Sequence, residues 1–209
     1  MKRVGGTSES EAARYLIATA LPAVLWMRGE IVLHVAAALL PGATGAIAIG
    51  GVSGGGKSTI LRQLVAAGAS VVADDTLCLR FDGPNITVSG LAAGYFVTDA
   101  GAAKGTPRRF EMVPHERRVA SARLAGLVML GARTLSGGPT FRTSGGVAAL
   151  EALLASRHRP RIPTLLGKNK ALLPVLARLS ETLPIQLWNR QEGLPALDPA
   201  EVTQLGRFA

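Results

Sequence analysis

The sequence predicts a single-domain α/β fold across residues 1–209, with a mostly β core and flanking helices. Three observations carry that prediction. A short apolar run, residues 46–49, feeds a glycine-rich turn, after which Leu61, Leu64 and Val65 recur at helical spacing until Gly68 stops them. A second apolar run, residues 70–73, follows at once and ends in Asp74 and Asp75. With 48% hydrophobic and only 18% charged residues the chain is not disordered, and 209 residues suit one domain with a substantial core.

The elements follow in order. Ser8 or Ser10 can cap a helix through Tyr15 and Leu16, and residues 21–28 read as an early strand or a helix end leading to Arg28 and Gly29. Residues 31–56 carry no formal charge, a length that by itself would suit a membrane span. Pro41, Gly42, Gly45 and the glycine-rich turn break it, so two buried strands joined by a turn are expected. Lys2 and Arg3 are followed by polar residues, unlike a signal peptide. Beyond Asp75, residues 76–81 and 86–90 flank Asp82, Gly83, Pro84 and Asn85 as a hairpin. Residues 94–106 are small and polar, a candidate mobile loop over a site. Residues 123–133 are apolar enough for another central strand. Residues 143–157 read as a capped helix with apolar positions 147, 150, 153 and 154, ending in Arg157, His158 and Arg159, which suit the negative end of its dipole. Pro160 and Pro163 stop it. A second helical stretch at residues 172–183 is expected to start near Leu173 because of Pro174, and residues 184–189 give a last strand. This half shows no chemical motif, internal repeat or low-complexity segment.

The glycine-rich turn fits G-x-x-x-x-G-K-[ST], with Gly51, Ser53, Gly54, Gly55, Gly56, Lys57 and Ser58 in place and Thr59 next. Glycines let the backbone curl so that successive N–H groups face phosphate oxygens, and the following helix presents its positive end. These eight residues are the candidate nucleotide-binding set for ATP or another nucleoside triphosphate. Lys57 would reach the outer phosphates and Ser58 would hold Mg2+. The alternative is a flexible glycine loop in a chain with 25 glycines.

Asp74 and Asp75 at a strand tip must face a ligand, a metal or water. Either they form a solvated turn with Asp75 as a cap, or they serve the phosphate loop, one at a metal and the other accepting a proton from a hydroxyl nucleophile. Neighbours on a strand point to opposite sides, so different roles are expected for the two.

With these residues in place, the sequence resembles the bacterial HPr kinase/phosphorylases and their shorter relatives, in the phosphoenolpyruvate-carboxykinase-like P-loop superfamily. The resemblance covers residues 14–79: the loop, the helix ending in glycine, the Asp–Asp pair at the same spacing, and, upstream, residues 27–37, similar to the family's strand ending in a histidine. It implies the catalytic-domain fold of that family. It also implies Asp75 as the base that activates an acceptor serine, Asp74 beside the metal and phosphates, Lys57 as the phosphate-binding lysine and His34 as the histidine next to the phosphates. Read alone, a histidine in this apolar run is more often a hydrogen-bonded core residue. A compact form without the family's amino-terminal domain is expected. The Glu-x-Arg-Gly signature is not legible, and Asp99 stands at about the right distance for a further metal ligand, or is a turn residue.

Arg108, Arg109, Arg117 and Arg118 are candidate clamps for a phosphate or an acidic substrate, since guanidinium forks match phosphate oxygens; the other reading is a solvated charged face. The net charge of +9 points to acidic partners. Scattered arginines and 4% aromatic residues argue against nucleic acid, and no membrane partner is expected. The single cysteine, Cys78, allows no internal disulfide and suits the cytoplasm; it is a core residue or a redox-sensitive thiol.

The expected reaction is transfer of the γ-phosphoryl group of ATP to a serine hydroxyl. The resemblance implies as acceptor an HPr-like carrier protein or a ribosomal precursor peptide, such as a lasso-peptide precursor at its terminal serine. It also implies a tendency to form homo-oligomers. The competing readings are a nucleotide-binding regulatory module that transfers nothing, and a kinase of a small hydroxylated metabolite.

Overall fold

Each strand that ends at the glycine-rich turn or at the aspartate pair is buried on both faces, and this sets the architecture. The computed structural model describes residues 15–83, 85–91, 94–97, 109–135, 138–192 and 196–208. A mixed sheet runs in the order β1 (Ile31–Leu33), β5 (Leu77–Asp82), β6 (Asn85–Gly90), β9 (Ser121–Thr134), β3 (Ala46–Gly50), β2 (Ala36–Leu39), β4 (Ser70–Ala73), while β11 (Ile185–Gln191) pairs with β9 and β10 (Thr140–Ser144) with β11. β3 and β11 lie parallel to β9; β2 lies antiparallel to both β3 and β4. The α/β class and the mostly β core expected from the sequence are present, with helices on both sides of the sheet.

Strand alternation sorts the core into two halves. Ala46 and Ala48 pack on one side with Trp26 of α1 (Leu21–Met27), Ala149 and Leu153 of α3 (Gly146–Ala155), and Leu172, Leu176 and Leu179 of α5 (Asn169–Thr182). Ile47 and Ile49 pack on the other with Ile60, Leu61 and Leu64 of α2 (Lys57–Ala66). Leu205 of α6 (Pro199–Gly206) joins that second side.

Several boundaries differ from the sequence expectation, each for a physical reason. Residues 31–39 are two strands, because β1 pairs with β5 and β2 with β3 and β4; the chain changes partners at His34 and Val35. Residues 21–27 are helical, with Pro22 in the first turn, where its missing N–H costs nothing. The helix expected over residues 143–157 starts at Gly146, not Thr143, because Thr140–Ser144 is drawn into the sheet against β11. Pro160 and Pro163 start α4 (Arg161–Leu165) instead of ending the helical region, both standing at or within its first turn. α5 begins at Asn169 and runs through Pro174; burial of Leu172, Leu176 and Leu179 outweighs the one backbone bond the proline removes. Gly94–Val97, expected in a mobile loop, is β7, paired with β8 (Arg109–Met112) as a separate ribbon. The rest of that loop, Asp99, Arg108, Ser8 and Ser10 lie outside the described residues. Cys78 is buried on β5, as a core residue would be; burial and then the charge of Glu30 push its thiol up from its ordinary value. No helix among the described residues is long and apolar enough to cross a membrane.

One close approach fixes the strand end that carries Asp74 and Asp75. A β carbon on Gly90 would collide with Ala73 Cβ and stand 2.7 Å from the Thr76 carbonyl oxygen. Glycine lets β6 lie against that turn. Gly90→Ala is therefore expected to cost about 1–3 kcal/mol, lowering the unfolding midpoint by about 2–4 °C for each kcal/mol; a thermal melt equal to wild type would contradict this packing.

Candidate functional site

The sheet order brings the predicted residues together. β2 lies between β3 and β4 and runs the opposite way, so its start faces the ends of both neighbours: Ala36 pairs with Ile49 and Ala37 with Ala73. His34, just ahead of β2, thus lies between the turn after β3 and the aspartates after β4.

The turn has the backbone its glycines allow. Gly51, Gly54 and Gly56 have φ of 144°, 79° and 100°, values that favour glycine. Gly56 caps α2, and Lys57 and Ser58 open it. Lys57 is buried, and its Nζ donates to the carbonyls of Gly51 at 3.0 Å and Val52 at 3.3 Å. The lysine so bridges the start of the loop to its end. Ser53 and Thr59 are exposed.

Asp74 and Asp75 face different partners. Ser58 Oγ donates to Asp74 Oδ1 at 3.0 Å. That hydroxyl and carboxylate pair is an oxygen donor set of the kind Mg2+ takes. Asp75 has φ of 76°, a left-handed conformation that aspartate tolerates better than most residues. The turn sends its carboxylate toward two imidazoles. Asp75 Oδ1 is 3.1 Å from His34 Nδ1, which is also 3.2 Å from the Asp75 carbonyl oxygen, and Oδ2 is 3.4 Å from His158 Nε2.

His158 is the residue that sequence reading missed. The chain leaving α3 pairs briefly with β1: His34 N donates to Ser156 O at 2.6 Å and His158 N to Val32 O at 2.9 Å. Trp26 Nε1 donates to the His158 carbonyl at 2.8 Å. This pairing delivers an imidazole that is only 3% exposed from the carboxy-terminal half to the aspartate. Its local sequence looks like an ordinary basic helix end, so only the tertiary pairing identifies it.

Burial acts to raise the proton affinity of Asp75, but hydrogen bonds from His158 and then His34 outweigh it and hold the carboxyl well below the usual carboxylate range. The group is ionised, and each oxygen keeps a lone pair for another donor. The ligand atoms of His34, Asp75 and His158 lie within 4.8 Å of one another, so the trio has the composition of a metal site. A metal on His158 Nε2 would put the hydrogen on Nδ1, which is buried and has no acceptor among the described residues. Hydrogen bonding to Asp75 from Nε2–H leaves only a lone pair there, and is the arrangement favoured.

Of the arginines expected to clamp phosphate, Arg108 lies outside the described residues and the other three have protein partners. Arg117 donates to the carbonyl of Gly68 beyond the far end of α2, and Arg118 donates to Val113 O through Nε at 2.8 Å and Nη2 at 2.6 Å. Both brace backbone. Arg109 on β8 lies 3.5 Å from Glu111, which also faces Arg62 at 3.9 Å. His115 begins a short helical turn.

No protein-family model and no curated protein sequence matches the chain. Among solved structures it is similar to the Hpr(Ser) kinase/phosphatase from Coxiella burnetii, at 16% identity and a TM-score of 0.50, over 83% of this chain and 95% of that one. At that identity the likeness extends to the fold.

Removing His158 tests the electrostatic account. A depressed carboxylate contributes stability above its unfolded value, about 3.9, and loses it as the pH falls through the folded value. His158→Ala leaves Asp75 less depressed. The stability gap between wild type and variant, measured by urea unfolding, should narrow as the pH drops below about 4; a gap independent of pH would contradict the hydrogen bond.

Proposed function

We propose that the chain is an ATP- and magnesium-dependent kinase that transfers a phosphoryl group to a serine hydroxyl of a small HPr-like protein or a ribosomal precursor peptide. One observation carries the reading: adjacent aspartates at one strand tip face opposite ways, Asp74 to Ser58 on the phosphate loop and Asp75 to a pair of histidines. A phosphate cradle and an ionised carboxylate then stand side by side.

The loop amides and the start of α2 would hold the polyphosphate, and Lys57, now on the Gly51 and Val52 carbonyls, would turn to the outer phosphates. Ser58 and Asp74 would hold Mg2+, which when bound offsets phosphate charge. Asp75 would accept the hydrogen bond of the acceptor hydroxyl and orient its oxygen for in-line attack. Its low proton affinity suits a loose transition state, in which the hydroxyl keeps most of its proton until the new bond is well formed. His34 and His158 fix the carboxylate, so most of the rate comes from positioning and charge. The strongly basic composition, +9, supports an acceptor with acidic character.

The test is intact-mass analysis of HPr, and of short precursor peptides encoded beside the gene, after incubation with ATP and magnesium. One added phosphoryl group on a serine is expected. Lys57→Ala should lower transfer by at least about 10²–10³-fold and weaken ATP binding, whereas Asp75→Asn should bind ATP normally and lose transfer. ATP binding without transfer to any protein or peptide would overturn the protein- or peptide-kinase reading in favour of a regulatory module or a metabolite kinase.

A further inference from the structure

β9 outruns the strand beside it. β3 stops at Gly50, opposite Met129, while β9 continues to Thr134, so residues 130–133 run alongside the phosphate loop. The loop leans on this extension at both ends. A β carbon on Gly51 would lie 3.0 Å from Leu130 Cβ, and one on Gly56 would lie 3.5 Å from Arg133 Nη2. The Arg133 guanidinium therefore stands at the last glycine of the loop, beside the amides that open α2.

The charge around Arg133 is unbalanced. On its other side β11 places Arg190 directly across the sheet from it. Arg190 is matched: its Nε donates to Glu201 Oε1 at 3.1 Å, and its guanidinium lies 5.1 Å from the Trp188 ring centre. Glu201 is itself 1% exposed and closes the capping box of α6 with Asp198, so it is committed there. Arg133 is exposed and has no hydrogen bond or ion pair among the described residues. An unpaired arginine in water is ordinary. This one sits across the sheet from an arginine that has its own carboxylate, and borders a loop built to attract anions. A polyphosphate in the loop would supply the missing counter-charge.

We infer that Arg133 is the phosphate clamp of this site, the role the sequence suggested for Arg108, Arg109, Arg117 and Arg118. It forks onto oxygens of the outer phosphates of a nucleoside triphosphate. The inference rests on the phosphate-loop reading and names the residue that reads the polyphosphate's length. During transfer the acceptor oxygen bonds to the γ-phosphorus, the bond from that phosphorus to the bridging oxygen breaks with its electron pair leaving on the diphosphate, and the acceptor hydroxyl's proton passes to the Asp75 carboxylate as the new bond completes. Arg133 stays protonated throughout and gives up no proton; it offsets charge on the oxygens.

Calorimetric titration of ATP, ADP and inorganic tripolyphosphate into the full chain tests this without any acceptor. The variants are Arg133→Ala, Arg133→Lys and, as a charge-matched control, Arg178→Ala on α5, with thermal melts to confirm folding. Arg133→Ala should weaken ATP and tripolyphosphate about tenfold, ADP less, with Arg133→Lys in between and Arg178→Ala near wild type. Unchanged affinity in a folded Arg133→Ala overturns the clamp and leaves the loop reading standing. Equal losses for Arg133→Ala and Arg178→Ala assign the effect to net charge and also overturn it. No ATP binding by wild type overturns both readings.

Discussion

The site depends on one topological constraint, the insertion of β2 between β3 and β4. Because β2 runs against both neighbours, the start of one strand and the ends of two others meet at a single edge of the sheet. That edge collects the glycine-rich turn, the aspartate pair and His34. The alternation of Ala46 and Ala48 with Ile47 and Ile49, buried on opposite faces, holds β3 in register and leaves the loop no freedom to slide.

A second constraint comes from the carboxy-terminal half. Its helix α3 packs on the sheet through Ala149 and Leu153, and the turn after it is stitched to β1 by backbone bonds. The buried imidazole of His158 is the consequence: Val32 and Trp26 hold its backbone in place, and its Nε2 faces the Asp75 carboxylate. The polar group that burial would penalise is thus paired with the carboxylate whose ionisation it maintains. Asp75 in turn occupies a left-handed conformation that a β-branched residue would resist, so the turn and the charge are specified together.

The amino-terminal half was legible in the sequence because its signals are local. Glycines at fixed offsets, a lysine and serine opening a helix, and two acids after an apolar run each state their own geometry. What was not legible depends on pairing between distant segments. His158 lies 83 positions from Asp75 and looks like a helix-end residue until the chain after α3 pairs with β1. Arg133 looks like the last residue of a strand; only the parallel register with β3 shows that β9 outruns its neighbour beside the loop. Arg117 and Arg118 show the reverse: clustered charge suggested a phosphate clamp, and both arginines hold backbone carbonyls. α6 carries a local sign that went unread: Asp198 stands three residues before Glu201, and the two form a capping box.

The central claim is that the loop and Asp75 form one phosphoryl-transfer centre. A crystal structure of the chain with ADP, magnesium and aluminium fluoride tests it most directly. The account predicts the diphosphate on the amides around Gly54, Gly55 and Gly56, and the planar fluoride between Lys57 and the Asp75 carboxylate, with His34 and His158 still on that carboxylate. Nucleotide bound away from the loop, or a fluoride group that Asp75 does not face, would contradict it.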